Sequence, residues 1–240
     1  MSAESQTVRG RIAYVSDRAH DAGRARGHEA FSITAFADGT RTLRAACTIS
    51  DPPVVERYVV QTVDAAMRPL DCFVRVRTGN AFTGLGWFRW ADGAVVCEAF
   101  TAADGRLSQR QACAPGPVAF CNHAIVGDAW MTAAYPRGRG LGATAVANTF
   151  TPSPHTQGAT GPSLNRLTLG LMWQGPETVA VPAGRFTADK FRLGRIAPDG
   201  KPDPAGLSYE IWVLADGSHV PALAMYRGER RYELVNYETA

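Results

Sequence analysis

The tripeptide Ala-Asp-Gly occurs four times in this chain, at 37–39, 91–93, 103–105 and 215–217, each time between runs rich in Val, Ile, Phe, Tyr, Trp and Thr. Asp-Gly accepts the positive φ angles of tight hairpin turns, because Gly has no Cβ to clash. Four such turns between β-forming runs predict a meander of antiparallel hairpins and leave little room for βαβ units. The expected strands are 7–15, 29–36, 41–49, 54–64, 71–78, 81–90, 95–101 and 106–111. They resume at 164–174, 178–181, 185–193, 208–214, 219–226 and 230–237. In 164–174, Leu167, Leu169, Leu171 and Trp173 share one face, and Arg166, Thr168 and Gln174 share the other. That period of two puts one face on a core.

One stretch breaks the rhythm. Residues 122–134 lack alternation and are good helix formers, with Asn122 as the expected N-cap and Pro136 as the stop. His123, Gly127 and Trp130 fall on one face of that helix. The segment 135–163 that follows is rich in Gly and Pro and reads as one long loop, the kind that is often functional. Residues 16–27 read as a second mobile segment. The meander runs through both halves, so the expectation is a single domain over 1–240.

The chain has 240 residues and a net charge of +3, with charges scattered along it. No basic stripe interleaves with aromatics, which disfavours nucleic acid as a partner. No apolar run reaches the roughly 20 residues needed to cross a bilayer as a helix. The first ten residues are polar, without a signal-like apolar run. Cys47, Cys72, Cys97, Cys113 and Cys121 form no C-x-x-C. Free thiols in a reducing cytoplasm are the expectation. The sequence leaves a homo-oligomer open.

The C-terminal third has the most recognisable order: Val179 through Phe186 (V-A-V-P-A-G-R-F), then Trp212-Val213, Asp216-Gly217, Val220-Pro221 and Tyr232-Glu233-Leu234. It resembles the LolA/LolB-like lipoprotein-carrier half-barrel superfamily and its bacterial relatives. The resemblance implies a mostly β fold: a large antiparallel meander curled into an open half-barrel, with one main helix and a long loop over the concave face. It also implies a cavity that binds a hydrophobic small molecule. The expected departure from the carriers is the absence of a signal sequence and a lipobox cysteine.

Catalytic motifs are sparse. There is no G-x-S-x-G elbow and no phosphate-binding loop; Gly138–Gly142 has no strand before it. Arg137 and Arg139 there are either flexible loop residues or clamps for a carboxylate or phosphate. The histidines are dispersed, so no metal is expected unless His123, His155 and Asp128 meet in space. His123 is either a general acid or base or a capping residue. Asp128, Tyr135 and His155 complete the candidate catalytic set. Lys190 is expected to pair across the sheet with Glu210 or Asp189. Trp87, Trp90, Trp130 and Trp173 are either core or the lining of a cavity for an aromatic or isoprenoid ligand. The expected function is proton-transfer chemistry on such a ligand, of lyase, isomerase or dehydratase type, without a cofactor. The alternative is a non-catalytic carrier of a lipid-like molecule.

Overall fold

The structure is a computed structural model that describes residues 5–196, 200–202 and 206–239. The polar N-terminal residues 1–4 lie outside it. Among the described residues fifteen strands form one sheet. The first eight are β1 (Gln6–Ser16), β2 (Ala25–Ala35), β3 (Arg41–Ile49), β4 (Val55–Val63), β5 (Pro69–Thr78), β6 (Ala81–Ala91), β7 (Ala94–Thr101) and β8 (Gly105–Ala112). Then come β9 (Val118–Phe120), helix α1 (Ile125–Met131), β10 (Gly142–Thr151), β11 (Asn165–Val181) and β12 (Gly184–Ile196). The chain ends in β13 (Tyr209–Leu214), β14 (Pro221–Tyr226) and β15 (Arg230–Thr239).

The spatial order is β8-β7-β6-β5-β4-β3-β2-β1-β15-β14-β13-β12-β11-β10-β9. Two meanders are thus joined where β1 pairs antiparallel with β15. All four Ala-Asp-Gly turns lie between consecutive antiparallel strands. Asp92 and Gly93, with φ of 52° and 65°, make the tight β6–β7 turn, where a Cβ on residue 93 would be strained.

The backbone ladder does not close into a barrel: β8 and β9 are its two edges. Side-chain amides bridge the gap instead. Gln109 Oε1 accepts from the Leu164 N–H at 2.8 Å, and Gln111 Nε2 donates to the Leu164 carbonyl at 3.1 Å. Asn148 Nδ2 donates to the Ala114 carbonyl at 2.9 Å. These bonds tie β8 to the start of β11, and the chain just after β8 to β10. The architecture is an open half-barrel.

Four sequence expectations are corrected. The expected helix over 122–134 is shorter: α1 has seven residues, followed by a 3-10 turn over Thr132–Ala134. The long loop over 135–163 contains β10, so its irregular part after that strand begins at Pro152. Strand β10 is rich in Ala and begins at a Gly, a weak β signature, and it forms because β9 and β11 flank it. Residues 164–174 and 178–181 are one strand, β11. A bulge at Gly175, with φ of 103°, absorbs the break that Gly-Pro suggests. The segment after Ser16 is tied down, with Arg24 paired to Asp21 and Asp51 at 2.8 and 2.9 Å.

Candidate functional site

Alternation explains how polar groups reach the interior. In β4 the inward row is Val55, Arg57, Val59, Gln61 and Val63, and in β2 it includes Glu29, Phe31 and Ile33. Glu29, Arg57 and Gln61 are each at most 2% exposed. All three hold the helix region.

Helix α1 starts at Ala124, which offers no side-chain cap. Asn122, the expected cap, instead uses its Oδ1 on the Ala124 N–H at 2.8 Å and donates Nδ2 to Gln61 at 2.7 Å. A further cap comes from β2, across the half-barrel. The Glu29 carboxylate accepts from the N–H groups of Ile125 and Val126 at 2.7 and 3.1 Å, and from the Tyr14 hydroxyl at 2.9 Å. A carboxylate there satisfies orphan helix donors and meets the positive end of the helix dipole. Burial still raises the Glu29 pKa, against those bonds.

Arg57 donates to the carbonyls of His123 at 2.8 Å, Gly158 at 3.2 Å and Gln157. It therefore pins the segment after β10 to the start of α1. A Cβ on Gly158 would lie 2.5 Å from the Arg57 guanidinium, so only Gly fits that approach.

Beside this support lies a cavity of about 430 Å³. Its apolar wall includes Ile49, Met131, Leu167, Leu169 and Leu193. Its polar lining includes Asp128 from α1, and Tyr14, Tyr209 and Tyr232 from the sheet, with Arg26, Arg227 and Arg230 beyond. The residues 153–157 cover one side. The size suits a small organic ligand, and a greasy wall with a few placed polar groups is the usual composition of such sites.

Asp128 is the group with chemical potential. It is 9% exposed, and burial followed by the nearby Glu29 charge pushes its pKa up to about 7. Cys121 Sγ lies 3.7 Å from its Oδ1. The Tyr209 hydroxyl is buried beside it, near enough for each group to shift the other's titration, though outside strict hydrogen-bond geometry. Burial, then the Asp128 charge, raise the Tyr209 pKa. A carboxyl balanced near neutrality can give or take a proton, and the Tyr209 hydroxyl beside it can turn to a ligand atom.

His123 also lines the cavity, but its Nε2 lies 3.2 Å from the Ser153 carbonyl and 3.1 Å from Thr151 Oγ1. Burial and the Arg57 charge lower its pKa to about 3, so the ring is neutral at ordinary pH. His155 lines the rim, exposed, with Nδ1 accepting from the Gln157 N–H at 3.1 Å.

The other sequence candidates lie elsewhere. Tyr135 is buried and donates to the Gly140 carbonyl at 2.7 Å. Arg137 stacks on Trp173, with its guanidinium carbon 4.6 Å from the ring centroid, and pairs with Asp189 at 2.9 Å. Trp173 Nε1 donates to the same Asp189 at 3.0 Å. Arg139 reaches Thr144 at 3.4 Å on the surface. Trp130 is buried in α1, and Trp90 packs on Phe120 at 5.0 Å. Trp87 is 43% exposed on the outer face. None of these seven residues lines the cavity. Lys190 pairs with Glu210 at 3.4 Å. Among the described residues no three His, Cys, Asp or Glu side chains are placed to hold a metal ion.

Sequence reasoning missed Glu29, Arg57, Tyr209 and Tyr232. For the first two a signal existed: each sits in the apolar phase of a strand, where a charged residue needs a partner. For the tyrosines there was none, since tyrosine is ordinary in strands.

No family model and no curated protein sequence matches the chain. Among solved structures, it is similar to a beta-barrel-like protein of domain of unknown function DUF1849 from Brucella abortus. The TM-score is 0.59 at 13% identity over 98% of both chains. That likeness establishes the fold. A Bacteroides fragilis protein with a YmcC-like fold aligns over 98% of this chain and 95% of its own, at 8% identity and a TM-score of 0.27.

Proposed function

We propose that this protein binds an amphipathic small molecule, with its apolar body against Leu167, Leu169 and Leu193 and its polar end at Asp128 and Tyr209. The observation that carries the reading is the cavity of about 430 Å³, in which one wall is aliphatic and the other bears unspent polar groups. The LolA/LolB-like rhythm of the C-terminal third supports it, since that superfamily is one of hydrophobic-cargo carriers. Native mass spectrometry of protein purified from its own host tests it. A retained small molecule, lost when Leu169→Trp fills the cavity, is the expected result. Ligand-free protein that also takes up no amphiphile added in vitro contradicts it.

A second reading is catalysis on that ligand: proton transfer of the lyase or isomerase type, without a cofactor. The Asp128 pKa of about 7, facing the cavity, favours it. Under this reading Asp128→Asn retains the ligand but loses more than tenfold in turnover. Under simple carriage no turnover accompanies binding, and the variant changes affinity alone.

A further inference from the structure

The outer face of the N-terminal meander is unlike an ordinary solvated sheet face. Its cross-strand rows follow from the register. One row runs Tyr58, Arg75, Leu85, Phe100, Arg106 across β4 to β8. The next runs Val60, Phe73, Trp87, Glu98, Ser108, with Arg44 of β3 beside Val60. The large apolar members are open to solvent: Tyr58 and Phe100 are each 52% exposed, Trp87 43% and Val60 37%. Neighbours in such rows lie about 5 Å apart, so these side chains form one patch and not isolated exceptions. Soluble proteins seldom leave contiguous apolar patches uncovered.

The charges on this face are arranged to suit one kind of cover. Arg44, Arg75, Arg77, Arg89, Arg106 and Arg110 face outward among the aromatics, against the acids Glu56, Asp71 and Glu98, and Glu56 is taken up by Arg77 at 3.5 Å. Glu98 is partly spent, accepting from Ser108 at 2.6 Å and lying 3.6 Å from Arg106. Two of the arginines lie over aromatic rings of the same face. The Arg75 guanidinium carbon is 5.9 Å from the Phe82 centroid, and that of Arg89 is 5.7 Å from the Trp87 centroid. Their positive charge therefore sits at the level of the apolar atoms. Aromatic rings with arginines at their edges match a bilayer interface, where rings enter the headgroup layer and guanidinium groups meet lipid phosphates.

We propose that the outer face of β4–β8 docks on an anionic lipid surface. The face lies on the side of the sheet away from the cavity, so docking leaves the cavity free. An acidic protein partner would supply the negative charge but would have to bury Trp87, Phe100 and Tyr58 in a matching apolar pocket. The lipid interface accepts them at any lateral position.

The test is co-sedimentation of the full chain with vesicles of phosphatidylcholine alone and of phosphatidylcholine with one-third phosphatidylglycerol. The bound fraction is expected to rise at least tenfold with the anionic lipid and to fall severalfold between 50 and 300 mM salt, as screening requires. Trp87→Ser with Phe100→Ser is expected to lower anionic binding about tenfold, and Arg75→Glu with Arg89→Glu at least as much. All four positions are exposed, and far-UV circular dichroism checks that each variant is folded. Absence of sedimentation, equal binding to both vesicle types, or binding that either folded double variant retains overturns the proposal. Absence of vesicle binding together with salt-sensitive binding to an acidic protein assigns the face to that class of partner instead.

Discussion

The two meanders that share this sheet use their inward side chains differently. From β3 to β8 the strands are joined by short turns, and the inward rows are mostly Val, Leu, Phe, Ala, Gly and Cys, with Arg57 and Gln61 of β4, Thr101 of β7 and Gln109 and Gln111 of β8 as polar members. From β9 to β15 the run is broken by α1 and by the segment after β10. The cavity lies mostly on that second side, with Asp128 and Tyr209 in its wall, and Tyr14, Arg26 and Ile49 close it from the first meander. The regular half supplies rigidity, and through Glu29 and Arg57 it also supports the irregular half. A short, fully buried helix cannot hold itself, since isolated helices of this length are unstable in water.

The sharpest way to break this comparison is to remove the support. Glu29→Ala leaves two helix N–H groups and the Tyr14 hydroxyl without their acceptor. Arg57→Ala strips three carbonyls of their donor. Each is expected to cost about 3–5 kcal/mol, since every buried polar group left without its partner costs about 1–3 kcal/mol. Urea unfolding measures it. Equivalent loss from an ordinary outward residue of β4, such as Glu56→Ala, would show that the network has no special place.

Next in size is Gly127→Ala, whose Cβ would lie 2.0 Å from the Asn122 side chain. Displacing Asn122 also breaks its bond to Gln61, and a loss of about 1–3 kcal/mol is expected, as for overpacked cores. Asn122→Ala in the same background should recover part of it.

The pH dependence separates two groups on the irregular side. The Asp128 pKa is raised from 3.8 to about 7, so across that window the native state holds a proton that the unfolded chain has lost. Its contribution to stability therefore falls as pH rises through the window, with a slope of at most about 1.4 kcal/mol per pH unit. The His123 pKa is lowered from 6.5 to about 3, so its contribution is lost as pH falls through that range. The two slopes oppose each other where they overlap. Asp128→Asn should leave a profile that falls more steeply toward acid. His123→Gln should leave one that falls more steeply toward neutral pH. Denaturant midpoints from pH 4 to 8 read both.

The smallest effects belong to the regular half. Gly93→Ala should cost about 1 kcal/mol, because the turn holds residue 93 at positive φ. Trp87→Ser should stay within about 0.5 kcal/mol, as outward substitutions do.

The same contrast explains what the sequence made legible. Asp-Gly turns and period-two rows are local, so β3 to β8 were readable almost to the residue. Strand β10 was not, because an Ala-rich run becomes a strand only when two neighbours pair with it. Asp128 and His123 stood out as polar groups in the one helical stretch, and both line the cavity. Tyr135 and Arg137 lie near them in sequence but turn toward Trp173 and Asp189. That separation is decided by the 3-10 turn at Thr132–Ala134 and the pairing of β10, neither of which has a local signature. Glu29 and Gln61 lie far in sequence from α1, a distance no motif spans.

The central claim is that the cavity beside Asp128 is a ligand site. Titration with 1-anilinonaphthalene-8-sulfonate, an apolar fluorophore with an anionic end, tests it directly when wild type is compared with Leu169→Trp. Saturable binding of one probe per chain, weakened at least tenfold in a variant that remains folded, is the predicted result. Unsaturable binding, or identical binding by both proteins, would contradict it.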